Sequence, residues 1–106
     1  MAVDFEAVNE LCKQYADNVR RSLPVDKVVL FGSYAKGTAD PQSDVDICFF
    51  LKSYDGRERF DIMLDLFRLM RGYDDAYFEP IVFETSDIED DNPFVKEILR
   101  TGREIP

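Results

Sequence analysis

Lys27-Val28-Val29-Leu30-Phe31 is a short β-branched and aromatic run held between Pro24 and Gly32, and Val45 to Leu51 is a second such run. Neither is long enough to read as a helix or to cross a membrane, and neither can be left in water. Each therefore predicts a buried strand. Between them lie Gly32, Ser33, Gly37, Thr38, Asp40 and Pro41, in a stretch from Tyr34 to Gln42 rich in small and turn-forming residues that predicts a loop.

Helical spacing surrounds this pair. From Asp4 to Leu23 the apolar residues Phe5, Val8, Cys12, Tyr15 and Val19 recur along one face until Pro24 stops the run. Arg57 to Arg71 sets Phe60, Met63, Leu64, Phe67 and Met70 against Glu58, Asp61, Asp65 and Arg68, which predicts a second amphipathic helix ending at Gly72 with Phe60, Met63, Phe67 and Met70 in the core. The three acids share a face and read as solvated. Tyr77 to Phe83 is a third strand, placed at an edge or a strand end by Pro80, which has no N–H to donate. Asn92-Pro93 is an N-cap followed by proline at the first helical position, Phe94, Val95, Ile98 and Leu99 make the stripe of a last helix, and Gly102 closes it. Glu89-Asp90-Asp91 reads as a solvated loop.

A chain of 106 residues predicts one modest core and a single domain over 1–106. Its 22 acidic residues against 13 basic ones give a net charge of -9, which repels phosphodiester backbones and argues against nucleic acid. No apolar run is long enough to span a membrane and the N-terminus has no leader pattern, so a cytoplasmic protein is expected. Cys12 and Cys48 read as buried thiols in a helix and a strand. The absence of histidine removes Ser-His and Cys-His nucleophiles, the usual zinc enzymes and imidazole acid-base chemistry. Carboxylates, metal ions and backbone remain.

Those groups coincide at Phe31-Gly32-Ser33-Tyr34-Ala35-Lys36-Gly37 and Ser43-Asp44-Val45-Asp46. Glycine straight after a buried strand lets the backbone turn sharply and approach a ligand, while Ser33 and the next amides can aim donors at a phosphate. Lys36 is a phosphate ligand or a solvated loop lysine, and Tyr34 is an aromatic available to a nucleotide or a partner. Asp44 and Asp46 alternate on an extended segment, so both carboxylates project to one face and can share divalent cations. Alone, a Gly-Ser turn or a pair of strand-end acids is common. Together, with Asp46 leading into Ile47-Cys48-Phe49-Phe50 and so drawn partly inside, they call for a cation to offset the buried charge. A nucleoside triphosphate could enter such an acidic site only with Mg²⁺, and two ions are expected, one activating the attacking oxygen and one stabilising the leaving pyrophosphate.

Gly32-Ser33, ten intervening residues and Asp44-Val45-Asp46 resemble, without insertion or deletion, the signature of the minimal nucleotidyltransferases of the DNA polymerase β-like superfamily. Phe31, Ala35, Gly37, Ser43 and Ile47 look like the family too, and the order of elements fits nearly the whole chain. The resemblance implies an α/β (α+β) fold, a small mixed β-sheet with helices packed against it. It also implies a third acid on a later strand that completes the metal site and takes the proton from the attacking hydroxyl. Glu79 matches that position, a glutamate where aspartate is usual, with Glu84 as the fallback. Asp44, Asp46 and Glu79 are thereby the implied catalytic and metal-binding set, and Gly32, Ser33 and Lys36 the implied nucleotide-binding set.

The activity so implied is transfer of AMP from ATP to an acceptor hydroxyl. Larger relatives carry acceptor-binding domains, whereas stand-alone members are often antitoxin partners of helical HEPN-type toxins, which they adenylylate on tyrosine. That analogy implies a protein partner of this type. Two other readings stand beside it. One is a non-catalytic antitoxin whose acidic surface neutralises a basic partner. The other is a small-molecule nucleotidyltransferase for aminoglycoside-like substrates, its pocket completed in a homo-oligomer.

Overall fold

A computed structural model of the chain describes residues 5–40, 42–73 and 76–106. Helix α1 (Phe5–Arg20) leads into strand β1 (Val25–Phe31), the short helix α2 (Gly32–Lys36), strand β2 (Val45–Leu51), helix α3 (Arg59–Leu69) and strand β3 (Phe78–Glu84). A 3₁₀ turn (Thr85–Ile88), helix α4 (Pro93–Thr101) and a two-residue strand β4 (Arg103–Glu104) follow. The sheet is ordered β3-β2-β1-β4, with β1 antiparallel to both β2 and β4 and β2 parallel to β3. The expected mixed sheet with helices against it is what forms. A parallel β2–β3 pair cannot be joined by a hairpin, and α3 is its crossover.

The strand alternation divides the core. Val28, Leu30, Ile47, Phe49 and Val82 face α1 and α3, while Val29, Cys48 and Phe50 face Val95 and Ile98 of α4. Tyr15 is the central side chain of the first layer. Its ring meets Phe49 edge-on at 5.4 Å between centroids, and its hydroxyl donates to the Leu66 carbonyl at 2.7 Å. Cys12 and Cys48 are both buried and free, as read from the sequence, and burial pushes each thiol up to about 12. Asn92 caps α4 as expected, its Oδ1 accepting from the Phe94 and Val95 amides at 2.9 and 3.3 Å. Gly102 ends α4 through close packing, because a Cβ there would lie 2.5 Å from the Ile98 carbonyl oxygen and 2.9 Å from that of Leu30.

Two expectations are corrected and one element is added. The loop predicted from Tyr34 begins as helix α2, whose five residues are too few to show a period; Gly37 closes it at φ 76°, and the Thr38 amide donates to the Ser33 carbonyl at 2.9 Å. The chain after α4 adds β4, two exposed charged residues paired to β1 through backbone bonds and an exposed Lys27–Glu104 ion pair at 3.9 Å, with Ile105 buried behind them. Most consequentially, α3 is turned. Ile62 and Leu66 are its buried residues, Met63 and Met70 are partly buried, and Phe60 and Phe67, expected in the core, are exposed at 70 and 47%, with Leu64 of the same predicted face at 37%.

Pro80 does sit in an edge strand. The Val82 carbonyl accepts from Arg59 Nε at 3.0 Å and the Glu84 amide donates to Asp87 at 2.9 Å, so the even-numbered backbone groups of β3 point away from β2. Pro80 shares that parity, so the donor it lacks is not one the ladder uses. Among the described residues no helix is long and apolar enough to cross a membrane.

Candidate functional site

The register of three strands builds the site. Phe31, the last residue of β1, lies opposite Asp46 on β2, and Asp46 lies beside Glu79 on β3. Gly32 follows at φ 73°, folding the backbone back so closely that a Cβ would overlap Asp46 Oδ2, with Asp46 Cγ at 3.0 Å and Cβ at 3.2 Å. Glycine is required here twice over, for the left-handed backbone and for the approach to a carboxylate. The chain then enters α2, whose first amides, like those of any helix, have no partner within the helix.

Asp46 is half-buried, whereas Asp44 and Glu79 are exposed. The carboxyl of Asp46 is pushed up to about 6, by burial first, then by the charge of Glu79, by a hydrogen bond with the Glu79 side chain and by the charge of Asp44. Two carboxylates in contact disfavour double ionisation, and one proton between them relieves the repulsion. Asp46 and Glu79 are thus brought together, and Asp44 adds its charge to theirs. Among the described residues no three carboxylate or thiol side chains already converge as a ligand set. The donor chemistry nevertheless suits a hard cation, being carboxylate oxygen throughout.

The remaining expected residues have definite places. Ser33 opens α2 beside Gly32 and is half-buried. Lys36 is exposed on the last turn of α2 and its charge reaches Glu97 of α4, a carboxyl held below its ordinary value chiefly by hydrogen bonds from Arg100. Tyr34, open from sequence to a nucleotide or a partner, is buried and packs edge-on against Phe5 at 5.9 Å between centroids. Glu84 lies five residues from Glu79 at the far end of β3, opposite Leu51, where its side chain caps the 3₁₀ turn in exchange with Asp87. Of the two glutamates only Glu79 stands with the aspartates.

Two cavities meet at Glu79. One, of about 350 Å³, is lined by Asp46, Glu79, Phe31, Arg59, Met63 and Phe94 among others. The other, of about 490 Å³, is lined by Asp44, Glu79, Phe67, Met70, Tyr73 and Tyr77 among others. Arg59 escapes sequence reasoning, since an arginine at a helix start reads as solvated. Here its guanidinium lies 5.3 Å over the Phe83 ring, on the wall of the cavity that Asp46 and Glu79 also line.

The nucleotidyltransferase domain family model matches residues 12–102, a span holding every residue of this site. The chain belongs to the nucleotidyltransferase domain family. A candidate protein adenylyltransferase of Methanocaldococcus jannaschii is 30% identical over 99 residues, which cover 91% of this chain and 96% of that protein. Among solved structures, a candidate nucleotidyltransferase from Sulfolobus solfataricus superposes with a TM-score of 0.70 at 26% identity, covering 94% of this chain and 80% of that one. A toxin-antitoxin structure determined with AMP-PNP shares the fold at a TM-score of 0.58 and 17% identity, over 89% of this chain and 72% of its own.

Proposed function

We propose that this nucleotidyltransferase transfers AMP from ATP to an acceptor hydroxyl, on a tyrosine of a helical HEPN-type toxin that it neutralises. The observation that carries the reading is the closure of the Gly32 backbone onto Asp46, itself paired across β2 and β3 with Glu79. No packing requirement explains a glycine turn pressed on a carboxylate whose neighbours are acids, while a site for a triphosphate and its counter-cations does. Asp44, Asp46 and Glu79 would hold Mg²⁺, which supplies neutralisation of the triphosphate and activation of the attacking oxygen. Gly32, Ser33 and the first amides of α2 receive the phosphates, with Lys36 and Arg59 as the nearby cations. The acceptor oxygen bonds to the α-phosphorus, the bond from that phosphorus to the bridging oxygen breaks, pyrophosphate leaves, and the hydroxyl proton passes to Glu79.

A protein acceptor agrees with the M. jannaschii relative, described as a protein adenylyltransferase, and the toxin partner agrees with the occurrence of this fold in a toxin-antitoxin structure bound to an ATP analogue. Incubation of the chain with Mg²⁺, ATP labelled at the α-phosphate and the candidate toxin is expected to label the toxin. The Asp44→Asn, Asp46→Asn double variant is expected to abolish that transfer, and undiminished labelling refutes the mechanism. The net charge of -9 and the glutamate at position 79, where the family usually has aspartate, favour a second reading, a non-catalytic acidic antitoxin. Toxin neutralisation retained in full by the double variant selects it.

A further inference from the structure

Phe67 and Tyr77 are exposed at 47 and 72%, yet both border the larger cavity, between the last turn of α3 and the start of β3. The inner wall behind them is fixed, because Tyr73 and Phe78 pack on Tyr15 with ring centroids 6.1 and 5.0 Å away. Large aromatics on a rigid rim, contributing little to the core, leave an apolar opening that water solvates poorly. The cavity touches Asp44 and Glu79, and among its described lining residues there is no lysine or arginine. A phosphate is ill placed there. The neighbouring cavity holds Asp46, Phe31, the residue before Gly32, and, among its described lining residues, the one cation of the two cavities, Arg59.

Glu79 belongs to both cavities, and this sets an order. In-line transfer requires the nucleophile and the leaving group on opposite sides of the phosphorus. With the nucleotide at Asp46 and Gly32, the other cavity that opens onto Glu79 is the aromatic one. Resting on the nucleotidyl-transfer reading above, we infer that this cavity is the acceptor subsite, in which Phe67 and Tyr77 position an aromatic side chain carried on a basic stretch of the acceptor polypeptide. The aromatic rim selects a flat ring, and Asp44, Glu79 and the net charge of -9 select a cationic surround.

Three nonapeptides test this with Mg²⁺ and α-labelled ATP: a tyrosine flanked by lysines, a serine flanked by lysines and a tyrosine flanked by glutamates. The first is expected to be labelled about tenfold more efficiently than either other. Phe67→Ala and Tyr77→Ala are each expected to raise its KM about tenfold while leaving kcat and the ATP dissociation constant unchanged. Titration of the lysine-flanked peptide should also shift the ring resonances of Phe67 and Tyr77, a readout that does not depend on turnover. Unchanged KM in both variants, unmoved ring resonances, or ATP affinity falling in step with peptide affinity overturns the placement. In each of those cases magnesium-dependent ATP binding by the unaltered chain persists. Loss of that binding instead refutes the nucleotidyl-transfer reading, and this inference with it.

Discussion

The orientation of α3 can be tested by two truncations six residues apart. Leu66 is fully buried beneath the Tyr15 hydroxyl contact, and Phe60 is 70% exposed. Leu66→Ala removes three carbons from a closed core, about 2.4 kcal/mol at roughly 0.8 kcal/mol each, and leaves a cavity that brings the cost to about 3 kcal/mol. Phe60→Ala removes more atoms, but from a ring already mostly in water and in favour of the best helix former, so the change stays within about 0.5 kcal/mol. Urea unfolding followed by circular dichroism reads both numbers, with an unchanged m-value showing that each is a true stability change. Had the stripe of Phe60, Met63, Leu64, Phe67 and Met70 been the core face, the order would invert. A Phe60→Ala loss larger than that of Leu66→Ala refutes the packing described for α3, and with it the exposed rim at Phe67.

Two other perturbations report on the site. Gly32→Ala places a Cβ in the left-handed region and against Asp46, so we expect a destabilisation of about 2 kcal/mol or more together with loss of ATP binding by calorimetry; a variant with normal melting and normal binding contradicts the close approach. The raised carboxyl of Asp46 gives a stability term with a definite sign: it is fully present below the ordinary 3.8 and lost as the pH rises through about 6. A shift of this size corresponds to about 3 kcal/mol unscreened, and to roughly half of that for a half-buried carboxylate. In chelator, Asp46→Asn should therefore gain on the parent chain by about 1.5 kcal/mol between pH 4 and pH 7, and a pH-independent difference rules the carboxyl contact out.

Much of the architecture was readable because burial and backbone chemistry act locally. Val28 to Phe31 and Val45 to Leu51 are strands because nothing else hides such short apolar runs, and Asn92-Pro93 starts α4 by satisfying amides within one turn. What escaped was decided by distant neighbours. The α3 segment is apolar on two faces, one through Ile62, Leu66 and Leu69 and one through Phe60, Leu64 and Phe67, and its own spacing cannot choose between them. The β2–β3 sheet and Tyr15 make the choice. β4 has no apolar signal at all, since Arg103 and Glu104 pair with β1 through backbone groups.

The site divides in the same way. Gly32-Ser33 and Asp44-Val45-Asp46 declare a glycine turn and a carboxylate pair from the chain alone, because conformational freedom, charge and alternation along an extended segment belong to individual residues. Glu79 rested on family resemblance, because its distance in sequence from Asp46 says nothing of proximity. Only the parallel register of β3 on β2 sets it beside Asp46, and only the approach of β1 presses Gly32 against that carboxyl. Residue types decide which groups can carry charge or bend the backbone, while strand pairing over long sequence separations decides which of them meet.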